Sequence, residues 1–116
     1  MIHKRAEVAV PHNDIKEVVF TEEQVYTENI VSQYTFYPTI YFSSYEQIDG
    51  VLEIIDEYGN GVLSINASEL GETHEFTCEF ELQKGMKYTI IISSGEYDFT
   101  TEPTYYYKIS DLQTKE

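Results

Sequence analysis

The side chains best suited to chemistry in this chain are three histidines, one cysteine and 21 acidic residues. His74 has glutamates on both sides, Glu72 and Glu75, so it could join a metal site or act as a general base. No nucleophile accompanies it, and the motifs of nucleotide-binding loops, zinc proteases and serine hydrolases are absent from the sequence. We therefore expect His74 to be an ordinary exposed histidine at a strand end, and the protein not to be an enzyme.

Acidic residues close together in sequence could serve glycoside hydrolysis, which uses two carboxyl groups across a cleft. Asp49, Glu53, Asp56 and Glu57 form the densest such group. In a chain with 21 acidic residues, such groups arise from abundance alone, and no pair among them stands out. A hydrolase with dispersed residues is therefore the third of three functional hypotheses.

The eleven tyrosines are better candidates for a functional surface. Five of them fall at turns or at outward positions of strands: Tyr37, Tyr45, Tyr58, Tyr97 and Tyr106. An exposed tyrosine ring can stack on a sugar or anchor a protein partner while its hydroxyl stays in water. The alternative is that these rings pack at the core and rim of a domain that has no tryptophan.

The charge is strongly negative, with 21 acidic against 7 basic residues and a net charge of −14. A surface of this kind repels phosphate groups, so we expect no binding to nucleic acid or to an anionic membrane. Glu75, Glu79 and Glu81 alternate with apolar residues and form a predicted acidic face. This face could mimic nucleic acid, but a negative charge also simply keeps a tyrosine-rich domain soluble.

The elements that must position these residues are predicted to be strands, because apolar residues recur mostly at period two. We predict strands at 16–20, 24–28, 31–37, 39–43, 51–56, 61–66, 75–83, 87–93 and 104–110, with a short extra segment at 97–100. The predicted fold is all-β, an antiparallel β-sandwich or jelly roll of about 8–9 short strands. Residues 1–14 read as an N-terminal arm or linker, with at most a short strand at 7–10, and 15–116 as a single domain.

Two hairpins follow from the alternation of side chains between faces. Inward residues of 75–83 and 87–93 are all even-numbered, which predicts a three-residue loop at 84–86 with Gly85 at positive φ. This pairing would place Gln83 opposite Lys87 and Glu81 opposite Thr89. Inward residues change parity between 51–56 and 61–66, which predicts an even loop at 56–61 with Asn60-Gly61 as its turn signal. Cys78 lies on the apolar side of its strand, so we expect it to be buried and unreactive.

A family resemblance accompanies this layout. The segments SQYTF at 32–36 and TIYFSS at 39–44 resemble a pair of opening strands, and VLEIIDEYGNG at 51–61 is similar to a strand with an acidic turn. FTCEFELQKGMKYTIIIS at 76–93 looks like a closing hairpin. These four segments cover about half of the chain. Their order resembles that of the bacterial prepeptidase C-terminal domain, a jelly-roll module that follows many secreted proteases.

The resemblance implies a non-catalytic accessory module that binds glycan or extracellular protein. In some relatives an acidic linker also holds calcium. The matching region here offers oxygen atoms from Glu22, Glu23, Glu28 and Asn29. A calcium ion needs six to eight oxygens that converge from separated positions, so a solvated strand edge is the alternative interpretation of this run.

Two leading functional hypotheses remain. The first is the binding module, which we expect to be secreted or at the cell surface if the chain is a domain excised from a larger protein. The second is a free-standing acidic inhibitor of the phage type, which blocks a basic protein surface and is cytoplasmic if the reading frame is complete. The salt dependence of binding distinguishes the two hypotheses, because binding by charge mimicry weakens steeply as ionic strength rises whereas stacking on a glycan does not.

Overall fold

The protein is a β-sandwich built from two packed sheets. The computed structural model describes residues 8–10, 15–21, 25–45, 48–95 and 98–110. The strands are β1 Val8–Val10, β2 Lys16–Val19, β3 Val25–Ser32, β4 Thr39–Ser44, β5 Gly50–Asp56, β6 Gly61–Asn66, β7 Glu75–Thr77, β8 Lys87–Ser94 and β9 Thr104–Ser110. The predicted fold class is confirmed.

The strands are ordered β1-β3-β8-β5-β6 in a five-stranded sheet and β2-β9-β4-β7 in a four-stranded sheet. Among the described strands, β1 and β3 pair in parallel and the other pairs are antiparallel. From β1 to β9 the chain changes sheet at each connection except the one between β5 and β6. Most neighbours within a sheet are therefore distant in sequence.

The core lies between the sheets and is made by the inward residues of alternating strands. Tyr105 and Tyr107 are fully buried while Tyr106 is only half-buried, as the alternation predicts. The buried apolar residues are Val18, Phe20, Ile30, Phe36, Ile40, Phe42, Leu52, Ile54, Ile65, Cys78, Leu82, Tyr88, Ile90, Ile92, Tyr105, Tyr107 and Ile109.

The hairpin of β5 and β6 is confirmed. Leu52 pairs with Ile65 and Ile54 with Leu63, and a register shift follows after Ile54. Asp56 closes the turn, since its Oδ1 accepts hydrogen bonds from the backbone of Tyr58 at 3.0 Å and of Asn60 at 2.9 Å. The positive φ of this turn is at Gly59, at 89°. The predicted turn signal at Asn60-Gly61 therefore lies one residue after the position that needs a glycine.

The second predicted hairpin is wrong, although the faces of its residues were predicted correctly. β7 pairs with β4 in the four-stranded sheet, whereas β8 pairs with β3 and β5 in the other. Lys87 and Thr89 accordingly lie opposite Val31 and Asn29, not opposite Gln83 and Glu81. Parity constrains only the face to which a side chain points, so two inward rows can just as well meet across the core from opposite sheets.

Three further boundaries differ from the prediction. The predicted strands at 24–28 and 31–37 are replaced by the single strand β3, because the polar Glu28 continues the inward row instead of ending it, and residues 33–37 do not belong to that strand. The predicted strand at 75–83 ends at Thr77, and the chain pairs with its neighbour again at a bridge between Leu82 and Phe36. At the predicted segment 97–100 the chain forms a 3-10 turn, Phe99–Thr101.

Candidate functional site

A pocket of about 270 Å³ lies at the end of the sandwich where β4 and β8 finish and β5 begins. We call it the hydroxyl pocket. Its polar lining is Ser43, Ser44, Asp49, Ser68 and His74, and its apolar lining is Ile48, Ala67 and Leu70. The residues come from four separate segments of the chain, so the fold alone brings them together.

Asp49 is held on the pocket wall through its backbone. Its carbonyl oxygen accepts a hydrogen bond from the Tyr105 hydroxyl at 2.5 Å and another from the backbone of Gly95 at 2.9 Å. The Tyr105 hydroxyl also lies 3.1 Å from the Ser94 hydroxyl. Because Tyr105 belongs to the four-stranded sheet and Ser94 to the other, this cluster joins the two sheets beside the pocket.

Gly50 makes room for the Tyr105 ring. A Cβ atom at this position would lie 2.4 Å from Tyr105 Cε2, closer than nonbonded carbon atoms approach. The missing side chain therefore lets the ring reach the Asp49 carbonyl. Nothing in the sequence alone links residue 50 to residue 105.

His74 stands at the start of β7 with an uncommon backbone conformation. Its φ is 60°, in the left-handed region that few residues other than glycine adopt. Two hydrogen bonds hold it there, one from its amide to the Gly71 carbonyl and one from the Phe42 amide to its own carbonyl, both 3.0 Å. Its ring meets the edge of the Tyr41 ring with centroids 5.9 Å apart. Such conformations often occur at functional sites, where the surrounding structure maintains them.

Two serines of the pocket are oriented by neighbours. The Ser43 hydroxyl donates to the Tyr41 hydroxyl at 3.1 Å, and the Ser68 hydroxyl donates to Asn66 Oδ1 at 3.0 Å. Asn66 and Glu69 form a reciprocal cap around the 3-10 helix Ala67–Glu69. The spacing of Asn66 and Glu69 is the one sequence signal that could have located this wall.

The charged and basic groups of the pocket are open to a ligand. Within the described part of the chain, the Asp49 carboxylate and the His74 imidazole accept or donate no hydrogen bond and form no ion pair. The Ser43 and Ser68 hydroxyls donate to Tyr41 and Asn66 and not to His74. Among these described residues there is therefore no serine-to-histidine hydrogen bond of the kind that activates a nucleophilic serine. The arrangement is suited to hydrogen-bonding a polar ligand.

The predicted tyrosine surface is divided between different parts of the molecule. Tyr45, 60% exposed, directly follows Ser44 of the pocket, whereas Tyr37 and Tyr58 lie at the opposite end of the strands and are 46% and 72% exposed. Tyr106 is half-buried on the outer face of the four-stranded sheet, opposite Ser43. Tyr97 lies outside the described residues.

Of the four predicted calcium ligands, the two in the described part of the chain do not converge on one site. Glu22 and Glu23 lie outside them, and Glu28 and Asn29 are adjacent in β3, so their side chains point to opposite faces. Glu28 is buried and binds Lys16 Nζ at 2.7 Å, while Asn29 accepts a hydrogen bond from Thr89. Across the described ranges no three histidine, cysteine, aspartate or glutamate side chains converge as a metal site. Calcium binding stays a prediction of the resemblance.

The acidic residues Glu75, Glu79 and Glu81 are all exposed, the first in the outer strand β7 and the other two in the segment that follows it. We call them the acidic edge. They do not form the regular row that alternation predicts, because the chain bends after Thr77 and holds two extra residues before Leu82 meets Phe36. The Cys78 amide bonds to the Pro38 carbonyl at 2.9 Å within this bulge, and its thiol is buried.

Comparison with protein-family models, with curated proteins and with solved structures found no match to this chain. Within the described residues, no helical segment has the length and apolar content needed to cross a membrane.

Proposed function

We propose that this protein is a non-catalytic binding module that holds a glycan in the hydroxyl pocket. The observation that carries the proposal is the combination of unpaired polar groups in a small pocket with an exposed tyrosine next to it. Sugars present hydroxyl groups around an apolar C–H face, and they are bound by a few placed polar groups together with an aromatic ring. Asp49 and His74 supply the polar groups, and Tyr45 supplies the ring.

The rigid surroundings of the pocket support this proposal. The Asp49 backbone is fixed by Tyr105 and Gly95, and His74 is fixed at both of its backbone groups. Preorganised polar groups lose little conformational entropy when a ligand binds. The same architecture agrees with an accessory module of the prepeptidase C-terminal kind, which we also propose as the family of this chain.

Tyr45 and Tyr58, the most exposed tyrosines among the described residues, provide a matched test. We expect Tyr45→Ala to weaken binding to short neutral oligosaccharides about tenfold or more, within the range of an anchor residue. Tyr58→Ala removes a ring that is still more exposed but lies at the opposite end, so it should leave binding unchanged. The measurement is a titration of the isotope-labelled protein, followed by NMR shifts of residues around the pocket. Equal effects of both substitutions, or no saturable binding across an oligosaccharide panel, would refute the proposal.

A second candidate function is supported by the acidic edge. Glu75 lies on β7, an outer strand whose far side carries no paired strand among the described elements, and Glu79 and Glu81 follow it in the chain. Residues 17–83 contain no lysine or arginine. As an inhibitor, the protein would hold this edge against a basic surface.

Charge reversal at Glu75, Glu79 and Glu81 tests the inhibitor hypothesis. The triple change to lysine should abolish salt-sensitive binding to a basic nucleic-acid enzyme without lowering the melting temperature, because all three side chains are exposed. If the triple variant binds as the parent does, the acidic edge serves solubility only.

A further inference from the structure

The lining of the hydroxyl pocket contains an acidic side chain but no lysine or arginine among the described residues. Of the described residues that line it, Asp49 is the only acidic one. Among the described lysines, Lys16 is bound to Glu28, and Lys84 and Lys87 lie at the other end of the strands. Lys108 lies opposite Tyr41 in the four-stranded sheet and does not line the pocket. The pocket therefore offers an unpaired carboxylate in a chain of net charge −14, and among its described lining residues His74 is the one basic group.

The remaining lining fits a sugar better than an amino-acid side chain. The lining includes the serines Ser43, Ser44 and Ser68 together with the apolar residues Ile48, Ala67 and Leu70. A lysine side chain from a protein partner would satisfy Asp49 but would bring no hydroxyl group to Ser44, whereas Ser43 and Ser68 already donate to Tyr41 and Asn66. A ring that carries both hydroxyls and a cationic group satisfies both.

We propose that the pocket selects a sugar residue with a free protonated amine, as in an oligomer of glucosamine, a proposal that rests on the glycan-binding function above. The ammonium group donates to the Asp49 carboxylate, and this charge-assisted hydrogen bond is stronger than a neutral one. The sugar hydroxyls bond to the serines and His74, and the C–H face lies on the apolar side. An N-acetylated sugar loses the ammonium interaction, and a uronic acid places a second carboxylate near Asp49.

The test compares short oligomers of glucosamine, N-acetylglucosamine and galacturonic acid in calorimetric titrations of the full chain at physiological salt, which screens long-range attraction. The glucosamine oligomer should bind most tightly and the galacturonic acid oligomer should not bind. Asp49→Asn should weaken glucosamine binding about tenfold, which corresponds to roughly 1.4 kcal/mol. It should change N-acetylglucosamine binding by no more than about twofold.

Glu81→Gln is the matched control, since it removes the same charge from an exposed site at the far end of the strands. If it weakens glucosamine binding as much as Asp49→Asn, the preference is due to net charge and the inference is overturned. Equal affinities for glucosamine and N-acetylglucosamine would overturn it too, and would leave the glycan-binding function standing. Absence of binding to all three oligomers, and to the neutral panel, would overturn both.

Discussion

At the scale of single residues, Tyr88 and Tyr106 show how differently two tyrosines of one sandwich are used. Tyr88 is 2% exposed and its hydroxyl accepts a hydrogen bond from the Gln83 amide at 2.7 Å. Tyr106 is half-buried on an outer face. We expect Tyr88→Ala to lower the free energy of unfolding by about 3–5 kcal/mol, and Tyr106→Ala by less than about 1 kcal/mol. Thermal melts check the ranking, and the reverse order would mean that the strand faces are assigned wrongly.

Cys78 makes stability depend on alkaline pH. Burial raises the pKa of its thiol from 9.0 to about 12. In the unfolded chain the thiol ionises at its ordinary value, so its contribution is complete below pH 9.0 and decreases as the pH rises towards 12. Burial, as the largest cause, also raises the pKa of Tyr88 above 10.0, which adds a similar loss at still higher pH.

Cys78→Ala isolates this effect. Between pH 9.0 and 10.0, the stability of the parent should fall more steeply than that of the variant, measured by urea unfolding. The lost packing lowers the stability of the variant at neutral pH, so only the slopes are compared. Parallel slopes would show that the thiol does not titrate differently in the two states.

At the scale of elements, Gly50 and Gly61 begin consecutive strands of one hairpin but differ in their surroundings. A Cβ at Gly50 would collide with the buried Tyr105 ring, whereas a Cβ at Gly61 would have no neighbour within 4 Å. Gly50→Ala should cost about 1–3 kcal/mol by overpacking and should also weaken ligand binding, because the ring holds Asp49. Gly61→Ala should be neutral or stabilising by up to about 1 kcal/mol. The midpoints of urea unfolding measure both effects, and an equal loss of stability in the two variants would contradict the role of Gly50.

The ion pair of Lys16 and Glu28 links β2 to β3, and therefore one sheet to the other. The Glu28 side chain is 4% exposed and that of Lys16 is 37% exposed. Lys16→Met leaves a buried carboxylate without its partner, and we expect it to destabilise the fold by about 3 kcal/mol.

Two comparisons establish whether this loss comes from the unpaired charge. Lys84→Met removes an exposed cation, so it should change stability by less than about 0.5 kcal/mol. Adding Glu28→Leu to Lys16→Met should recover most of the loss, since an apolar pair often replaces a buried ion pair without cost. If the double variant is as unstable as Lys16→Met alone, the lysine matters for packing and not for charge.

The sequence predicts elements better than their partners. Alternation located most strands and gave the inward faces correctly, because the burial of a side chain is a local property of the pleat. It placed β7 beside β8 because adjacent strands often form hairpins, and among the described strands that rule holds only for β5 and β6. The sequence did not predict the hydroxyl pocket for the same reason. Ser43, Asp49, Ser68 and His74 become neighbours only through pairings between distant parts of the chain.

At the scale of the whole molecule, the predicted tyrosine surface is divided between the two ends of the sandwich. The hydroxyl pocket and Tyr45 lie at one end, and Tyr37 and Tyr58 at the other. A single platform of five tyrosines is therefore not formed by the described residues. An elongated glycan that binds at the pocket end would leave the other tyrosines free, and this is the reason that Tyr58 serves as the control for Tyr45.

The repeated change of sheet along the chain also determines what a cut would do. A break in the exposed loop at Gly71 and Glu72 gives one piece with β1 to β6 and another with β7 to β9. β8 inserts between β3 and β5, and β9 between β2 and β4, so each sheet needs strands of both pieces. The two pieces should therefore stay together on gel filtration and separate only in denaturant. Expressed apart, they should be unfolded, and they should regain the sandwich when mixed, which would make this domain a reporter of proximity between two fused proteins.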